Sequence, residues 1–88
     1  MDETIEETTV GELSGRRVGM ANVFEDAYTL PDGTAKTGLT CLLSVFDVGK
    51  VRVGEGSVVE VAGDRWLVVK ITKVSGENGE VALRRLPK

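Results

Sequence analysis

From Lys50 to Leu86 the chain runs in short stretches of alternating apolar and polar residues, and nearly every stretch ends at a glycine turn. Val51-Arg52-Val53 stops at Gly54-Glu55-Gly56, Ser57 to Val61 stops at Ala62-Gly63-Asp64-Arg65, and Trp66 to Val74 stops at Ser75-Gly76-Glu77-Asn78-Gly79. A period of two sets successive side chains on opposite faces, which suits a pleated strand and not a helix. The pattern therefore predicts consecutive antiparallel strands, with Trp66 to Val74 the longest and Leu67, Val69 and Ile71 sharing a face. Asn78-Gly79 is a strong hairpin signal. Glu80 to Leu86 closes the series with Val81 and Leu83 inward and Arg84 outward, and Pro87, lacking an N–H, stops the pairing.

The first half is less regular. Residues 1–9 carry four acids and read either as an acidic tail or as a short edge strand held by Ile5 and Val10, beginning near Thr4. Gly11 to Gly15 reads as a loop. Arg17 to Tyr28 places Val18, Met20 and Phe24 on one face and predicts a half-buried strand. Leu30-Pro31-Asp32-Gly33-Thr34 has proline and glycine where a reversal needs them. Gly38 to Val48 sets Leu39, Cys41, Leu43 and Val45 on one face and Leu42, Phe46 and Val48 on the other, as in a central strand covered on both sides. Leu39, Leu42, Leu43 and Phe46 also fit a helical stripe, so a helix remains the alternative there.

Six strands result, and they predict an all-β fold: one small antiparallel sandwich or partly closed barrel over residues 10–88, with 1–9 as tail or edge. With 88 residues the core is marginal, and Cys41 is the only cysteine, so no disulfide can staple it. A single cysteine fits a reducing cytoplasm. No secretory signal or apolar span of membrane length is present, so the chain reads as soluble and cytoplasmic.

Candidate chemistry is sparse. Histidine is absent, which removes the commonest zinc ligand and the commonest general base at neutral pH. Glu25 and Asp26 are adjacent, hence on opposite faces of a strand, with no nucleophile nearby. The glycines at 54–56 and 76–79 do not lead into a helix, so they read as turns and not as a phosphate cradle. Cys41 lies in the most apolar run, where a thiol is inert. The expectation is no catalytic residue, no metal and no cofactor.

Trp66, the only tryptophan, leaves a tight turn directly after Arg65, where it either caps the core or anchors a partner. Charge is uneven: residues 1–49 hold nine acids and three bases, residues 50–88 five acids and eight bases. That asymmetry is either an ordinary solvated surface or a pairing of acidic with basic faces between protomers. The bases Arg52, Arg65, Lys70, Lys73, Arg84, Arg85 and Lys88 could line one face. A net charge of −3 and the lack of interleaved aromatics argue against nucleic acid as the partner. Arg65, Trp66, Arg84 and Arg85 are thus the candidate partner-binding residues.

Three segments, Val53-Gly54-Glu55-Gly56-Ser57-Val58, Val61-Ala62-Gly63-Asp64-Arg65-Trp66 and Val81-Ala82-Leu83-Arg84-Arg85-Leu86, resemble a pattern in small all-β proteins of actinobacteria. The resemblance covers roughly the last 40 residues and rests on turn glycines and alternating valines. It implies a bacterial, cytoplasmic, all-β protein and no particular activity. The expected function is a non-catalytic interaction module, accessory or regulatory, binding another protein or its own copy through a sheet edge or the Trp66 region. The alternative is a small-ligand-binding barrel or enzyme accessory subunit with Met20, Asn22 and Cys41 lining the pocket. A nucleic-acid-binding small barrel ranks below both.

Overall fold

In a computed structural model that describes residues 2–7, 9–73 and 78–87, all regular structure is β. The strands are β1 (Asp2–Glu6), β2 (Val10–Leu13), β3 (Arg16–Thr29), β4 (Ala35–Val45), β5 (Gly49–Gly54), β6 (Val58–Val61), β7 (Asp64–Thr72) and β8 (Glu80–Arg85). They form two four-stranded sheets of order β2-β3-β4-β5 and β1-β8-β7-β6, with every pairing antiparallel. Strands that follow one another in sequence pair within each sheet, β2 to β5 in one and β6 to β8 in the other, and β1 returns to β8. The chain is therefore a meander wound almost into a barrel, open at two seams, between β1 and β2 and between β5 and β6. The expected all-β sandwich or partly closed barrel is what forms.

Two strands exceed the expected six. The segment read as a loop, Gly11 to Gly15, holds most of β2, which turns into β3 through Ser14 and Gly15, both at positive φ (51° and 79°). Paired positive φ values make the tight turn that matches strand twist, so a Ser-Gly pair closes a hairpin here. The acidic start is an edge strand two residues longer than expected at its N-terminal side. Ile5 anchors it at 2 % exposure, whereas Val10, expected to help hold it, is 67 % exposed on β2.

Inward faces depart from simple alternation at two bulges. In β3, Asn22 and Val23 together oppose Cys41, and Asn22 has φ 53°. The extra residue reverses the phase, so Val18 and Met20 point inward but Phe24 turns outward, 45 % exposed, contrary to the even-position pattern. In β7 the extra residue is Val69. Trp66, Val68 and Ile71 are therefore the buried set, and Val69 is exposed, not Ile71's companion on one face. β3, not β7, is the longest strand.

No helix forms over 39–48. β4 runs to Val45, and the next three residues turn into β5. Cys41, Leu43 and Val45 are buried, but the opposite face is not covered as expected: Phe46 and Val48 are 61 % and 69 % exposed. The 30–34 reversal joins β3 to β4 through Leu30 N–H to Thr34 O (2.8 Å) and Gly33 N–H to Leu30 O (2.9 Å). The expected turn over 75–79 lies largely outside the described residues, as do Val74 and Lys88.

Candidate functional site

The four residues expected to meet a partner separate onto different surfaces. Trp66 and Arg85 are cross-strand partners, as are Leu67 and Arg84, and Arg65 faces Glu60. Trp66 is 3 % exposed. Its indole Nε1 donates to Ser14 Oγ at 3.0 Å, and that hydroxyl donates to Asp64 Oδ2 at 2.6 Å. A large aromatic is thus placed in the core with its one polar atom satisfied, and the chain of bonds ties the β2–β3 turn to the opposite sheet. Arg85 lies at the end of this chain, Nη1 3.9 Å from Asp64 Oδ2. Arg65 and Arg84 are exposed on the outer face.

The opposed charges of the two halves meet inside one chain. Because β1 pairs with β8, Arg84 Nε donates to Asp2 Oδ1 at 2.9 Å and Nη2 to Oδ2 at 3.2 Å. Just beyond, Lys73 Nζ donates to Glu7 Oε1 at 2.6 Å, and the Gly79 N–H reaches the same oxygen at 2.9 Å. These bonds hold the Asp2 and Glu7 carboxyls below the usual carboxylate range and raise the Arg84 guanidinium above its usual value. Arg52 is engaged too: it stacks over the Phe24 ring at 4.2 Å and donates to Thr40 Oγ1 at 3.0 Å. The bases therefore do not form one free stripe.

The remaining candidates stay apart. Met20 and Cys41 are packed in the core, while Asn22 is exposed at the bulge, so the three do not line a common space. Burial pushes the Cys41 thiol up to about 12. Glu25 and Asp26 are exposed, and Asp26 Oδ1 accepts the adjacent Ala27 N–H. At Gly54 the Tyr28 ring lies where a Cβ would be, and Tyr28 Oη donates to Glu55 O at 2.9 Å. That contact fastens the long β3–β4 hairpin over the β5–β6 turn. Among the described residues no three His, Cys, Asp or Glu side chains gather as a metal site, and no helix is long and apolar enough to cross a membrane.

One surface feature stands out against this background. At the end of the sheet where β4 turns into β5, Val10, Phe46 and Val48 line an open groove of about 480 Å³, with Arg17, Asp47 and Lys50 at its rim. Each of the three apolar side chains is more than 60 % exposed. A second groove of about 280 Å³ lies in the β5–β6 seam and shares Val48, Gly49 and Lys50 with the first. β5 is an edge strand, so it also offers unpaired backbone groups there. The alternation of the sequence places Phe46 and Val48 on a covered strand face and makes Val10 an anchor of the first strand, whereas all three are exposed. The missed signal is Asp47 followed by Gly49, a turn pair that lifts Phe46 and Val48 out of β4; Asp47 has φ 65°.

Comparisons with protein-family models, with curated proteins and with solved structures gave no match.

Proposed function

We propose that this chain is a non-catalytic interaction module, of accessory or regulatory type, that engages a protein through the groove lined by Val10, Phe46 and Val48. A cytoplasmic setting accords with its single, buried cysteine. One observation carries the reading: three large apolar side chains, each over 60 % exposed, converge on one concave surface beside a free strand edge. Scattered exposed valines need no explanation, but a grouped apolar surface with a charged rim is the usual composition of a contact site. The Trp66 region supports the fold instead, since its indole is enclosed and hydrogen-bonded.

The test is a photo-reactive residue placed at Val48 and, as control, at Lys36 on the far end of β4, in cells expressing the chain. Adducts from position 48 that vanish when Phe46→Glu is added, with none from position 36, are expected. Equal labelling at both positions, or adducts indifferent to Phe46→Glu, overturns the proposal.

A further inference from the structure

We infer, resting on the reading of this groove as an interaction surface, that the partner enters as an added strand: an extended segment of alternating acidic and apolar residues, laid along the free edge of β5. The telling residue is Val51. In the β4–β5 ladder Val51 stands opposite Leu43, which puts its side chain on the inward face of the sheet, with that of Val53. Leu43 has no exposed surface and Val53 is 2 % exposed, yet Val51 is 42 % exposed. Val51 borders the open seam, where β5 ends one sheet and β6 ends the other. The groove of about 280 Å³ in that seam has Val45, Val51 and Val59 among its walls, and it shares Val48 and Gly49 with the groove of Phe46. An inward-facing valine is thus left uncovered beside an unpaired strand edge, and one further strand would cover both.

The outer face of the same edge is basic. Lys50 stands opposite Ser44 and Arg52 opposite Leu42, so both bases point outward, on either side of Val51. Lys50 is exposed, and Arg52 crosses β4 to neutral partners, the Phe24 ring and Thr40 Oγ1. β5 contains no acid, and Arg17 adds a third base at the rim of the adjoining groove. None of the three is in an ion pair among the described residues. The acids alongside are Asp47 in the turn and Glu60 on the far wall, where Arg65 is its cross-strand neighbour. A strand laid on β5 therefore meets bases on one face and an apolar slot on the other. Side chains that alternate between faces answer both when acids alternate with aliphatic residues. A second copy offering its own β5 would set Lys50 and Arg52 against like charges, so the complement is a segment of another protein.

The probe is a fluorescein-labelled heptapeptide alternating glutamate and valine, titrated with the purified chain and read by anisotropy, with circular dichroism checking that each variant folds. Saturable binding is expected, roughly tenfold weaker for the lysine–valine counterpart. The same peptide N-methylated along its backbone cannot pair as a strand and should not bind. Lys50→Glu lowers affinity for the glutamate peptide roughly three- to tenfold, since one exposed ion pair contributes modestly, and raises affinity for the lysine peptide. Amide hydrogen exchange locates the contact: added peptide protects amides of β5 and leaves those of β2, the other edge of that sheet, unchanged. No saturable binding up to about 1 mM, equal affinity for the two peptides, binding that survives N-methylation, or protection at β2 in place of β5 overturns the added strand. Tighter binding of a single-stranded oligothymidylate does the same. If any of these holds while position 48 still gives Phe46-dependent adducts, the interaction surface stands without the strand; loss of the adducts as well refutes both.

Discussion

Cys41 shows how one side chain records its surroundings. It has no exposed surface, and burial raises its thiol from 9.0 to about 12, with Arg52 pulling slightly the other way. The folded thiol therefore stays protonated where the unfolded one ionises. Its contribution to stability is complete below pH 9.0 and is lost as pH climbs from 9.0 towards about 12, because the unfolded state then releases the proton more readily. Other groups titrate in this range, so the comparison needs a reference, and Cys41→Val keeps nearly the same volume without the thiol. Between about pH 8 and pH 10.5 the denaturant midpoint of wild type should fall further than that of Cys41→Val. Parallel falls would show that the thiol is not held neutral. This residue was legible in the sequence, as an inert thiol in an apolar run. Trp66 was legible only as a choice between two roles, since nothing in its neighbourhood of the chain announces Ser14, 52 positions away, as its hydrogen-bond acceptor.

At the scale of elements, β1 asks what holds an edge strand whose residues are mostly charged. Two ion pairs tie its ends, Asp2 with Arg84 and, just past it, Glu7 with Lys73. Its one buried side chain, Ile5, packs against Gly11 of β2, where an added Cβ would lie 2.7 Å from Ile5 Cγ1. Exposed ion pairs are screened and constrain flexible side chains, whereas loss of a fully enclosed isoleucine leaves a cavity and costs about 2–5 kcal/mol. Ile5→Ala should accordingly lower the unfolding midpoint strongly, and Asp2→Asn should leave it nearly unchanged; the reverse order would mean that charge holds β1. Strands with a clean period of two, such as β8 with Val81 and Leu83 inside, were legible because one face is buried throughout. β3 and β7 were legible as strands but not in their faces. A bulge adds one residue to one partner, and only the pairing reveals it: Asn22 adopts positive φ in β3 with no glycine to mark the place, and the extra residue of β7 is Val69. β2 escaped notice because four residues containing Gly11 show too little of any period.

For the whole molecule, the return of β1 to β8 is the decisive connection. Local pairing follows the chain from β2 to β5 and from β6 to β8, yet sheet β1-β8-β7-β6 is complete only when the first strand meets the last, with Asp2 opposite Arg84 and Glu6 opposite Glu80. This is also why charges that look opposed along the sequence are neighbours in space. The all-β, partly closed architecture was legible from turn spacing alone, since a meander needs only local reversals. Closure was not, because the acidic strand resembles a solvated tail until its Ile5 is seen inside. An antiparallel β1–β8 pair can be converted into a hairpin by joining its ends through a short glycine linker and opening the chain between Asp32 and Gly33, at the exposed β3–β4 turn. That permutant keeps every ladder but makes the longest-range one local, and it shifts the loop-closure cost to the β3–β4 pair. The latter retains ten cross-strand positions and the Tyr28 contact on Glu55, so it can bear the change. The permutant should give the same far-UV circular dichroism as the parent and fold more slowly, because five β1–β8 positions become local while ten β3–β4 positions become the longest-range ones. If it folds faster at equal stability, β1–β8 and not β3–β4 is the contact on which assembly of the two sheets depends.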